Sequence, residues 1–184
     1  MKKTEIKELI IPLSEYATVG EDAYLNEAVA ELEMTHAKSE NNLYPHRSVV
    51  ILAPNGDVEG VLTYLDVLQA LEPKYLEIGN ISSLSRFGLS HEYLKSMVDT
   101  HNLFEEPLDH ICQKASQLKV KDFIHPPSEA EFIDEGATLN ELIHQFVVGH
   151  YPSILATRNG KVIGVLRLAD VFHEISAQIQ SCAI

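Results

Sequence analysis

Two short spacings carry the chemistry this sequence offers: Thr63-x-x-Asp66 and Arg167-x-x-Asp170. An ionised carboxylate only accepts hydrogen bonds, so it suits a partner that presents two donors, such as a vicinal diol. In the first turn of a helix the carboxylate is held ionised, because the helix dipole favours negative charge there. The same spacing is also that of a capping box, in which Thr63 caps the helix and Asp66 returns to the Thr63 backbone N–H. The two roles can coexist. Arg167 removes the cap hydroxyl from the second motif and sets a cation near a helix N-terminus, which is mildly unfavourable. It either takes a phosphate bidentately or fills the site itself, and the residues alone leave both readings open.

Other constellations do not assemble. The nine histidines include no H-E-x-x-H, and Cys112 and Cys182 belong to no C-x-x-C. They read as two free thiols of a reducing compartment. His101, Asp109, His110 and Cys112 follow no tight ligand spacing and read as hydrated surface side chains. No G-x-S-x-G, P-loop or G-x-G-x-x-G occurs, and the Ser and His of Gly149-His-Tyr-Pro-Ser153 are in-line neighbours, which rarely make a triad. No catalytic residue, catalytic cofactor or metal site is expected.

The charge bounds the partners. The 184 residues carry a formal net charge of −13, and the longest basic grouping is Lys2-Lys3. Such a surface repels nucleic-acid backbones and anionic membranes. No apolar run of about 18 residues is present for a spanning helix, and the charged opening Met1-Lys-Lys-Thr-Glu lacks the apolar core of a secretory signal. The expectation is a cytoplasmic protein.

The two motifs sit in a repeat. Residues 55–68 and 159–172 are identical at eight of fourteen positions without a gap, so the chain is a duplication. Each copy opens that stretch with Asn-Gly, the preferred pair for a type I′ turn. In the first copy the pattern predicts a strand at Ala17–Val19, a helix capped by Asp22 over Ala23 to about Thr35, and a loop over 36–46. Strands at Ser48–Leu52 and Val58–Leu62 follow, then a helix from Tyr64 to about Leu71. The second copy predicts a strand at Phe132-Ile133, a helix from Ala137 through Val148, strands at Ser153–Thr157 and Val162–Leu166, and a helix from Ala169 to about Gln178. Between them, 73–119 reads as a helical hairpin. One helix carries Tyr93, Leu94, Met97 and Val98 over about 91–101, and a second starts at Pro107. The expected division is 1–72, 73–119 and 120–184.

A duplicated β-α-β-β-α unit with G-h-h-T-x-x-D at its last strand-to-helix junction resembles the CBS domain, two copies of which form a Bateman module. Gly60-Val-Leu-Thr63-Tyr-Leu-Asp66 matches the motif fully, and Gly164-Val-Leu-Arg167-Leu-Ala-Asp170 departs at Arg167. The resemblance covers about 10–70 and 120–178. It implies an α/β (α+β) fold whose two copies pack across their sheets, and clefts that bind AMP, ADP, ATP or S-adenosylmethionine. It places Asp66 and Asp170 at the ribose and Thr63 near ribose or phosphate. Adenine would lie against Ala17, Thr18 and Val19 in copy one and Glu131, Phe132 and Ile133 in copy two. His46, Arg47 and Ser48, or Tyr151 and Pro152, would lie near the phosphates.

The function implied is a non-catalytic adenine-nucleotide sensor read by a regulated protein partner. The alternative is a structural dimerisation adaptor without a physiological ligand. A homodimer is expected, with Leu25, Val29, Leu32, Leu139, Ile143 and Phe146 on exposed helix faces, and the apolar stripe of the insert is expected to be packed.

Overall fold

The computed structural model describes residues 5–38, 48–72, 74–77, 88–103, 110–124 and 126–182. His46, Arg47, Asp109 and the helix start expected at Pro107 lie outside these residues, as does most of the 36–46 loop.

Each copy builds one sheet. In the first, β2 (Thr18–Gly20) runs parallel to β3 (Ser48–Leu52), which pairs antiparallel with β4 (Val58–Thr63). In the second, β5 (Phe132–Asp134) runs parallel to β6 (Ser153–Arg158), and β6 pairs antiparallel with β7 (Lys161–Arg167). Helices α1 (Leu25–Lys38) and α2 (Tyr64–Ala70) belong to the first copy, α5 (Leu139–Gly149) and α6 (Leu168–Ser181) to the second. The insert contributes α3 (His91–His101) and α4 (Ile111–Ala115).

Strand alternation assigns the faces. Val49 and Ile51 of β3 join Leu25, Ala28 and Leu32 of α1 in the first core. Ile154 and Ala156 of β6 join Leu142 and Phe146 in the second. The intervening residues, Val50 and Leu155, meet Val165 and Tyr16 in a third cluster that joins the two sheets. The central strands are thus buried on both faces, which explains their unbroken apolar runs.

The copies exchange their lead-ins. β1 (Ile11–Pro12) pairs antiparallel with β7 of the second copy, Ile11 opposite Val165 and Pro12 opposite Gly164. A Cβ on Gly164 would lie 2.3 Å from the Ile11 carbonyl oxygen, so only glycine admits this strand. Ile6, fully buried, packs in the second core. Reciprocally, Val120 and Phe123 pack in the first core, and the Val120 N–H donates to the Ala23 carbonyl at 2.9 Å.

Several expectations are corrected. The Asn55-Gly56 turn is not type I′: only Gly56 has positive φ, and its N–H bonds the Ala53 carbonyl at 2.9 Å. Pro54 explains this, since its fixed negative φ suits the second position of a type I turn. In copy two, Asn159 and Gly160 both have positive φ and form the expected two-residue hairpin. Asp22 does not cap α1. Its carboxylate pairs with Lys119 and Lys121, whose ammonium groups hold it below the usual carboxylate range, while Glu27 accepts from the Tyr24 N–H at 2.7 Å. Leu25, Leu32 and Phe146 are core residues, not an exposed face. Exposed apolar residues stand on α2 (Tyr64, Leu65, Leu68) and α6 (Leu168, Phe172, Ile179), and at Met34 of α1 and Val147 and Val148 of α5. In α3 only Met97 is buried, and Tyr93, Leu94 and Val98 face solvent.

Candidate functional site

β4 ends and α2 begins at Thr63, whose extended backbone makes it the N-cap. The capping box is complete. The Asp66 N–H donates to Thr63 Oγ1 at 3.3 Å, and Asp66 Oδ2 accepts from the Thr63 N–H and from Oγ1, each at 2.7 Å. Both bonds to the carboxylate use Oδ2, and Oδ1 has no hydrogen-bond partner among the described residues. The cap therefore fixes the carboxylate and leaves one acceptor oxygen for a further donor.

Asp66 belongs to the lining of a cavity of about 210 Å³ between the copies. Copy one contributes Val61, Thr63 and Asp66. Copy two contributes Ile124, Pro126 and Glu131 from its lead-in and Tyr151, Pro152, Ser153 and Leu155 from the approach to β6 and from that strand. The exchange of lead-ins is what carries the opposite wall here. Tyr151 is set by the end of α5, where His150 takes a left-handed conformation with φ 55°. The Tyr151 ring then folds back against Gly149, where a Cβ would stand 2.0 Å from the ring. Glu131 is held by its own capping box, accepting from the Ser128 N–H at 2.9 Å.

Copy two's motif is arranged differently. Arg167 is 5% exposed. Its Nη2 donates to Asp170 Oδ1 at 2.6 Å and its Nε to Oδ2, a bidentate pair. Nearby, the Tyr16 and Ser48 hydroxyls share a buried hydrogen bond of 2.8 Å. Burial pushes the Tyr16 phenol above its ordinary pKa, against the Ser48 bond and the Arg167 charge, both of which lower it.

The sequence-derived residues divide accordingly. Thr63, Asp66, Glu131, Tyr151 and Pro152 meet in one cavity, although the last three were expected in the cleft of copy two. Ala17 lies fully buried in the first core, Val19 packs against that core, Thr18 pairs with Val50 along β2, and none of the three lines the cavity. Ile133 is buried in the second core. Ser48 is taken by Tyr16. Ile124, Pro126, Val61, Ser153 and Leu155 of the cavity, and Tyr16 beside Arg167, were not among the residues expected from the sequence. A signal for Ile124 and Pro126 existed: Ile10-Ile11-Pro12 and Ile124-His125-Pro126 precede the first strands of the copies at the same distance. Of the residues considered as metal ligands, His101, His110 and Cys112 are exposed, and no group of three or more His, Cys, Asp or Glu among the described residues could hold an ion.

A twice-repeated α/β unit, paired through its sheets with a cleft between the copies, is a tandem-domain architecture. The CBS domain profile matches residues 6–73 and 120–177, and the chain belongs to that family, with two copies forming a Bateman-type pair. The fold is similar to a CBS domain-containing protein of unknown function from Kribbella flavida (17% identity, 95% of this chain and 99% of that one, TM-score 0.57). It is also similar to a conserved protein from Geobacillus kaustophilus (14%, 96% and 98%, TM-score 0.58). A third likeness is to the CBS domain of a bacterial CNNM/CorC family Mg²⁺ transporter in complex with ATP (16%, 94% and 87%, TM-score 0.56). No curated protein matches the chain. CBS pairs are often regulatory and nucleotide-binding. Among the described residues no helix is long and apolar enough to cross a membrane.

Proposed function

We propose that this chain is a non-catalytic sensor of an adenosine-type ligand, which enters the cavity lined by Thr63 and Asp66. The observation that carries the reading is the Asp66 carboxylate, fixed by its cap through Oδ2 while Oδ1 is left to accept a ribose hydroxyl. Tyr151 and Pro152 supply an apolar wall for a flat base, and Ser153 and Thr63 supply hydroxyls. The ATP complex of the transporter neighbour supports an adenine nucleotide as the ligand class. Binding across two copies would favour one arrangement of the pair, and a protein partner would read the shift. The working unit is 1–72 with 120–184, and 73–119 is an appended helical element. The chain acts in the cytoplasm as a homodimer, through the matched patches Tyr64/Leu68 on α2 and Leu168/Phe172 on α6, all exposed.

The complete capping box favours a second reading, because it accounts for Thr63 and Asp66 without any ligand. In that case the chain is a dimerisation adaptor. Thermal shift of dialysed protein with AMP, ADP, ATP and S-adenosylmethionine separates the two. Stabilisation follows RT ln(1 + [L]/Kd), so a micromolar ligand at millimolar concentration raises the melting temperature. No shift with any of the four favours the adaptor.

A further inference from the structure

We propose that the cleft of copy two is closed by its own Arg167, so that each chain offers one ligand cleft rather than two. The stoichiometry part of this inference rests on reading copy one as the ligand cleft. Asp170 holds the position of Asp66: Ser48 pairs with Thr63 across β3 and β4 as Ser153 pairs with Arg167 across β6 and β7. In copy one the cap uses a single oxygen of Asp66. In copy two both oxygens of Asp170 are taken, Oδ1 by Nη2 and Oδ2 by Nε of Arg167. A vicinal diol would bring two donors to one carboxylate. The planar guanidinium fork brings the same two, as charge-assisted bonds. The Arg167 side chain is 6% exposed and the Asp170 side chain 19%. A ligand would have to displace a buried cation from the carboxylate it holds by two bonds, which is unfavourable.

The wall of copy two is filled in the same manner. Tyr16, 5% exposed, stands in the repeat where copy two has Ala130. Its hydroxyl engages Ser48, the counterpart of the Ser153 that lines the open cavity. A large ring and a guanidinium thus stand on one side of the pseudo-symmetric pair, where the other side has Ala130 and Thr63.

Equilibrium dialysis of the full chain against saturating AMP, ADP, ATP and S-adenosylmethionine tests this. The proteins compared are wild type, Arg167→Thr and Arg167→Thr/Asp170→Asn. Wild type takes up one equivalent of its best probe, Arg167→Thr takes up two, and the double variant returns to one. Two equivalents in wild type overturn the proposal, as does a folded Arg167→Thr that takes up no more than wild type. Uptake by Arg167→Thr with none by wild type leaves the closure standing while the reading of copy one fails. Absence of uptake by every protein overturns both. A measurement on wild type needs no variant to fold: the Arg167 Nε–H resonance exchanges slowly with water and keeps its position as probe is added. Fast exchange, or a shift that tracks the titration, overturns the closure.

Discussion

Tyr16 is buried between the two sheets, with its hydroxyl on Ser48 and the Arg167–Asp170 pair close enough to act on it. Desolvation dominates and pushes its pKa above the ordinary phenol value of about 10. The folded chain therefore keeps this proton to higher pH than the unfolded chain. The contribution to stability is whole below the unfolded value and is lost as pH rises through the folded one. In a spectrophotometric titration of the seven tyrosines, one phenol should ionise late and together with alkaline unfolding. Tyr16→Phe should remove that late step and cost about 1 kcal/mol in urea melts, the scale of one hydrogen bond. A Tyr16→Phe titration identical to wild type would contradict the assignment. At this scale the sequence was readable where a residue type implies its own role. Thr63 and Asp66 carry a capping spacing that is local, so both their pairing and their helix position followed from the chain. Tyr16 carries no such mark, because its partner Ser48 lies 32 residues away.

Among the elements, the strands and helices of the repeat were legible because period and turn residues are local signals: β3 spans Ser48–Leu52 as its apolar run predicts. The exchange of lead-ins was not legible. Ile6 and Val120 are apolar residues of the same kind, and nothing in their spacing says which core will bury them. The Asn55-Gly56 turn failed for a local reason that was visible, the preceding Pro54. The junction of α5 and β6 gives a prediction at this scale. Gly149→Ala should improve helix propensity by up to about 1 kcal/mol. It should also drive the Tyr151 ring out of the cavity wall, since the new Cβ would stand 2.0 Å from it. Ligand binding should weaken by roughly 1 kcal/mol, the scale of an aromatic contact, while the melting temperature holds or rises. Unchanged affinity in calorimetric titration would show that Tyr151 does not touch the ligand.

At the scale of the whole molecule, the exposed patches repeat with the fold. Tyr64 and Leu68 on α2 correspond to Leu168 and Phe172 on α6, so one dyad could cover both at once. Light scattering should give a dimer mass at micromolar concentration, and Leu68→Glu with Phe172→Glu should give a monomer of unchanged far-UV spectrum. A wild-type monomer would contradict the dimer. The sequence placed the apolar face on α1 and α5 because helical spacing shows that a face is apolar, not whether the sheet or a partner covers it. In the proposed function the pair senses a ligand through Asp66. Asp66→Asn keeps the side-chain shape and one acceptor, so urea melts should move little. Thr63→Ala should lose about 0.5–2 kcal/mol of stability with its cap and should also weaken the ligand. The most direct test is calorimetric titration of the best of the four adenosine compounds into wild type and Asp66→Asn. The expected result is a loss of roughly 1.5–3 kcal/mol in binding, the scale of a hydrogen bond to a charged group. Equal affinity in the two proteins would contradict the ribose assignment.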